Sequence, residues 1–378
     1  MIPGAWPSRA APGEGSCDDA ATMTTRPKLR RGPGSIVGLC GSIFGLGGIG
    51  WLAAAASVAA HGPVPVEPPS AATFLFAWTF EPLPTLGIAV AALWWWWAVR
   101  RVNVAHPTNP VPVRRSVAFA AGLTAIAFAL LSGIGRYDTT LFSVHMVQHL
   151  LLALVAAPLI ALSAPITLLL RLASPTTRRR WILPVLHARL TRILAFPVVA
   201  WVIFAGVMWV SHFSPLFDAA LEDPLVHDLE HALFLGAGLL FWWPAVALDP
   251  APWRMPHPAR ALYVLLQMPQ NTFLAVVLLN APTVLFAHYA TLQRARGPTA
   301  LADQQAAAGI MWLAGDAIFL VAVMAIVLGW MRAEARDTGR MDRRAAAEMA
   351  DIRVREGLLA DRLAREREDG QPGSGVSR

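Results

Sequence analysis

The sequence predicts an all-α fold: a polytopic membrane bundle of seven spanning helices behind an N-terminal signal peptide or signal anchor. Three observations predict it. The 378 residues are 56 % hydrophobic and only 15 % charged, against about 25 % charged in soluble domains. Apolar runs near 20 residues recur along the chain, each long enough to cross a hydrocarbon core. The positive charge, which is arginine apart from the single lysine Lys28, clusters between those runs. The net charge of +7 therefore reads as membrane topology, with no nucleic acid implied.

Residues 1–60 form an extension and a targeting segment. The basic stretch RPKLRRG precedes an apolar run from Ile36 to Ala60 ending ASVAAHG, and Val58-Ala59-Ala60 resembles a signal-peptidase site. Cleavage there would begin the mature chain near His61 and remove Cys17 and Cys40, whose spacing excludes thiolate zinc fingers and redox dithiols. The length of the run keeps an uncleaved anchor as the competing reading, and Met23 is a second candidate start. Residues 61–82 then form an outer segment, and residues 83–331 the membrane domain.

The spans fall at roughly 83–99, 116–133, 142–162, 194–213, 225–247, 260–281 and 309–331. Arg100, Arg101, Arg114 and Arg115 follow the first; Arg171, Arg178, Arg179, Arg180, Arg189 and Arg192 follow the third; Arg254 and Arg260 follow the fifth. Alternate loops hold only Arg136, Arg294 and Arg296. The positive-inside rule makes the arginine-rich linkers cytoplasmic, with the segment after the signal outside and the C-terminus inside. Residues 332–378 read as a charged, solvated helical tail, with Met349, Ile352, Leu359 and Leu363 as an alternative seam for a partner helix.

This topology sorts the histidines. His106, His187 and His257 lie in cytoplasmic linkers, where exposed loop roles suffice. His145 and His149 open the third span as HMVQH, His227 and His231 open the fifth as HDLEH, His212 closes the fourth, and His288 lies in the loop after the sixth. Each HxxxH pair occupies one helix face, and at ~1.5 Å rise per residue both pairs lie within a turn or two of the outer boundary. One such pair alone reads as hydrogen-bonded structure. Two pairs and a fifth histidine at one depth point to metal or metal-cofactor binding, because ionisable residues in spans are rare and usually functional, and neutral imidazole is a common ligand for Cu and Zn. Glu230 and Asp316 are candidate ligands or orienting partners. Met146, Met208 and Met311 could add thioether, Met208 sharing a face with His212.

LFSVHMVQHLLLALVAAPLIALSAP, with Pro158 and Ala164-Pro165, together with HDLEHALFLGAGLLFWWPAV, resembles the seven-span bacterial cytochrome c oxidase assembly factors of the CtaG type found with caa-type oxidases. The resemblance covers roughly residues 80–331. It implies a non-enzymatic factor in the bacterial cell membrane that helps mature a copper centre, with oxidase subunits, membrane lipid and a copper chaperone as partners. His145, His149, His227 and His231 match the family's motif positions. His212 and Asp316 match on less specific sequence, and His61 and the tail have no counterpart.

Three other readings stay open: a bis-histidine haem protein, a metalloenzyme built on the H-x-x-E-H pattern of HDLEH, and a copper or proton transporter using Gln267, Gln270 and Asn271 around Pro269. Those three amides also suit interhelical hydrogen bonding.

Overall fold

The computed structural model describes residues 69–292 and 297–369. The signal segment, both cysteines and His61 lie outside these residues. Among the described residues the structure is helical, with no strand. Six helices are long and apolar enough to cross a membrane: Pro82–Ala105, Val113–Tyr137, Phe142–Leu172, Pro224–Val246, His257–Leu279 and Ala300–Arg367. A seventh span arises if Pro197–Phe213 and Leu216–Glu222, bent by 70° at Ser214-Pro215, count as one broken crossing.

Span boundaries follow from local chemistry. Pro82, Pro197 and Pro224 each sit in a first turn, where the missing N–H costs nothing. Asp223 caps the fifth span by accepting from Leu225 N at 2.8 Å and Val226 N at 3.3 Å. The last span does not end with its apolar run. A single helix continues from Ala300 to Asp369, and beyond the membrane segment it lies exposed, carrying helical ion pairs such as Arg355–Asp351 at 2.8 Å.

The third span is the one most altered by its sequence. Leu151–Ala156 forms a π-helical turn that begins two residues after His149. Within it the Ala157 N–H reaches back five residues to Leu152 O. The next bond of that series would come from residue 158, and Pro158 has no N–H to give. Ala153 O accepts instead from Trp242 Nε1 of the fifth span, at 3.0 Å. Farther on, Ala164 adopts a left-handed conformation, φ 57° and ψ 61°, and Pro165 restarts the helix. Asp249 covers that new N-terminus, accepting from Ile166 N at 3.0 Å and Thr167 N at 2.6 Å.

The third and fifth spans pack at close range. A Cβ on Gly238 would meet Ala153 O at 2.9 Å and Ala157 Cβ at 3.0 Å. Small residues permit this approach, the usual means of helix association in lipid. Phe142, Met146, Leu154, Phe204, Phe234, Phe241, Trp242 and Phe319 fill the shared core. The first span joins through a separate patch, where Trp95 stacks on Phe119 at 4.1 Å. Trp96 and Trp97 of the WWWW run point outward.

Gly238→Leu is expected to force these two spans apart and lower the thermal midpoint of the detergent-solubilised protein. Gly236→Ala, with nothing within 4 Å of the added carbon, is expected to leave the midpoint unchanged or raise it.

Candidate metal centre

The site lies at one end of the bundle, where the third and fifth spans begin and the fourth ends. Asp303, at the start of the last helix, sets the entry of the third span. It accepts from Phe142 N at 2.7 Å, Ser143 N at 3.3 Å and Ser143 Oγ at 2.5 Å, a carboxylate at a helix N-terminus. His145 and His149 then stand one turn apart, ring centroids 4.2 Å from each other. The fifth span repeats the arrangement, with His227 and His231 also at 4.2 Å.

The two pairs meet. His145 stacks on His227 at 5.4 Å, and His149 lies edge-on to His231 at 6.2 Å. Glu230 projects between them, its Oε2 3.7 Å from His145 Nε2 and 3.8 Å from His149 Nε2. These distances exceed hydrogen-bonding range. They do suit two ligands of one ion, since donors about 2.0–2.1 Å from a metal lie about 3–4 Å apart. All four histidines and Glu230 are buried, none more than 8 % exposed.

Asp138 joins the cluster from the loop before the third span, its Oδ2 3.8 Å from His227 Nε2. Gln148, the Q of HMVQH, orients it by donating from Nε2 at 2.9 Å, and Thr139 N donates to Oδ1 at 2.6 Å. Burial pushes the Asp138 carboxyl up to about 7, against the lowering pull of these bonds. Neither residue stood out as a ligand candidate in the sequence. The available signal was an acid in RYDTT, three residues ahead of the same span's apolar run.

Two groups of donors result: Asp138, His227 and His231, and His145, His227 and Glu230, each with its ligand atoms within 4.8 Å of one another. Both ring nitrogens of His145 and of His149, and both carboxylate oxygens of Glu230, are buried with no hydrogen bond among the described residues. Each such group left unsatisfied costs about 1–3 kcal/mol. So many at one point fit a cation, and the donor set of imidazole and carboxylate suits Cu, Zn or Fe.

The other sequence candidates sit elsewhere. His212 Nδ1 lies 2.7 Å from Met208 O, which turns its buried Nε2 inward without a hydrogen bond. Its ring is 5.9 Å from Phe217, and Phe217 in turn packs 4.9 Å from His145. His212 therefore lines the cluster without entering either group. His288 Nε2 meets Thr139 O at 2.9 Å, and its backbone N–H goes to Asp218 Oδ1 at 3.1 Å. Tyr289 OH donates to Asp138 O at 2.6 Å. His288 thus braces the loop that carries Asp138.

Asp316 is bonded away from the histidines, by Asn271 Nδ2 at 3.0 Å and Thr272 Oγ1 at 2.7 Å. It borders a groove of about 480 Å³ with Leu265, Met268, Pro269 and Phe273. Met208 Sδ lies 3.8 Å from Gln270 Nε2, and Gln270 Oε1 accepts from Trp209 Nε1 at 2.6 Å. Gln270 and Asn271 thus act as interhelical hydrogen-bonding groups.

Asp316→Leu, which removes the acceptor of Asn271 Nδ2 and Thr272 Oγ1, is expected to cost about 1–3 kcal/mol, read as a lower thermal midpoint.

Comparison with known proteins agrees with this architecture. Uncharacterised proteins of Mycobacterium bovis, Mycobacterium tuberculosis and Mycobacterium leprae are 31 %, 31 % and 30 % identical to this chain over 292 residues. The match covers 75 % of this chain and 44 % of each relative, so the chain spans less than half the length of the curated proteins it matches. No solved structure matches significantly. The model of the cytochrome c oxidase caa3 assembly factor family (Caa3_CtaG) matches residues 90–333, most of the chain and all of the histidine cluster. The chain belongs to that family of membrane-embedded oxidase assembly factors.

Proposed function

We propose that this protein holds copper at the histidine cluster and passes it to a cytochrome c oxidase during maturation of a copper centre. The observation that carries the reading is the set of buried imidazole and carboxylate atoms left without hydrogen bonds around Glu230. Family membership supplies the client, and the donor chemistry supplies the metal: for mixed nitrogen and oxygen sites affinity among divalent ions peaks at copper. The Met208 sulfur is less suited to help, since Met208 Sδ already meets Gln270 Nε2.

The role is one of delivery, with copper as cargo and no bond of an organic substrate broken. Three protein donors leave a position open for an incoming ligand. A client histidine can enter there before the donor imidazoles let go, so the ion never has to pass through water. The arginine pattern supports a cluster facing the outer side, with the charged tail in the cytoplasm. Oxidase subunits, the surrounding lipid and a copper chaperone that loads the site are the partners in this scheme.

Equilibrium dialysis of the purified protein against Cu(II) is expected to yield bound copper, and His145→Ala/His149→Ala to lose at least tenfold in affinity. Deleting the gene is expected to leave oxidase with its haem but short of copper. Unchanged copper binding in the double variant overturns the assignment of the site, and a Soret band in the purified protein would favour haem instead.

A further inference from the structure

We propose that the far end of the third span from the histidine cluster carries a binding site for the phosphate group of an anionic phospholipid, held by Arg171 and Arg178. A cavity of about 450 Å³ opens there, within the ~300–1,000 Å³ range of ligand sites. Three segments wall it. The linker between the first two spans brings His106 and Asn109, the end of the third span brings Thr167 and Arg171, and the turn that follows brings Arg178 and Leu183. No acidic residue lines it. Asp249, bonded to Thr167, is buried, and its oxygens are taken up by Ile166 N, Thr167 N and Thr167 Oγ1.

The two arginines have donors to spare. The Arg171 guanidinium donates to Asn109 O, which ties the third span to the linker and holds the side chain at the cavity. Arg178 donates to Ala173 O at 3.5 Å, and its Nε is buried with no hydrogen bond among the described residues. Each guanidinium carries several further N–H groups. Neither arginine forms a salt bridge among the described residues, whereas tail arginines such as Arg355 do. Two half-buried cations lining one cavity without a carboxylate call for an anion. A phosphate suits them, since its oxygens match the guanidinium fork.

Position selects a lipid as the source of that phosphate. The third span ends at Leu172, so the arginines sit where the apolar core gives way to headgroups. The arginine pattern assigns this end to the cytoplasmic leaflet, where basic pockets beside spanning helices take anionic headgroups. The turns that follow, Arg178–Ile182, Leu183–His187 and Arg189–Leu194, leave Trp181, Val185 and Leu190 exposed. Apolar surface of this kind beside arginines suits the boundary between headgroups and acyl chains. Trp181, with the Arg180 guanidinium 5.8 Å from its ring centroid, is a residue type that concentrates at that boundary. A free phosphate would use the arginines and gain nothing from this apolar surface.

The test is lipid retention by the detergent-purified full-length chain, counted by native mass spectrometry during titration with phosphatidylglycerol, phosphatidylcholine or inorganic phosphate. Phosphatidylglycerol is expected to bind about tenfold tighter than phosphatidylcholine, through attraction of an anionic headgroup to two arginines. Arg171→Gln/Arg178→Gln is expected to abolish that preference. Arg189→Gln/Arg192→Gln, which takes the same charge from the same linker outside the cavity, is expected to keep it. Equal losses in the two pairs overturn the site in favour of diffuse attraction. Inorganic phosphate that displaces the lipid at equal concentration overturns the lipid and leaves a free-anion site. Hydrogen exchange of the wild type gives a readout that needs no variant to fold. Phosphatidylglycerol is expected to slow the amides of residues 106–109 and 171–183, and unchanged exchange there overturns the proposal.

Discussion

The end of this bundle is organised around one constraint: four imidazoles and two carboxylates are held out of water, close together, and the His145 and His149 ring nitrogens and both Glu230 oxygens have no hydrogen bond among the described residues. An ionised carboxylate in such a place is tolerated only when paired or coordinated. The surrounding structure spends its polar groups on keeping the donors aimed. Asp303 anchors the third span beside His145, and Asp223 anchors the fifth one turn before His227. Gln148, His288 and Tyr289 hold the loop that carries Asp138. These contacts keep the candidate donors in place through other residues, the arrangement by which orienting partners act in metal sites.

The cluster also depends on how closely its two main helices can lie. Gly238 against Ala153 and Ala157 sets that distance. The π turn and Pro158 free the Ala153 carbonyl, and Trp242 takes it up across the interface. π turns inside α-helices often occur beside functional positions, and this one begins two residues after His149. The break at Ser214-Pro215 serves the same region, since it brings Phe217 between His145 and His212. Aromatic packing by Phe217, Phe234 and Phe142 excludes water from the donors, which strengthens whatever they bind.

Much of this was legible in the residues themselves. Apolar runs, charge gaps and prolines located the second, fourth, fifth and sixth spans to within a few residues, because hydrocarbon thickness imposes a narrow range of lengths, while the third span runs on to Leu172 and the last helix from Ala300 to Asp369. The HxxxH spacing placed each pair on one face, because helix periodicity is local. Depth arguments brought HMVQH and HDLEH to one level, and there the two pairs do meet. The same arguments placed His288 and Asp316 in the candidate set as well. Matching depth cannot distinguish facing from merely level residues, and in the fold one braces a loop while the other bonds Asn271 and Thr272.

What the sequence by itself determined is the helical membrane architecture and the four histidines, since both follow from periodicities within single helices. What only the tertiary structure decided is which acids join them. Glu230 points between the pairs, and Asp138 reaches His227 from a different segment of chain. Which side chains from separate segments converge depends on helix rotation and closeness, here governed by Gly238, the π turn and the Gln148 bond to Asp138. Those are contacts between residues 10 to 89 positions apart, and no local pattern encodes them.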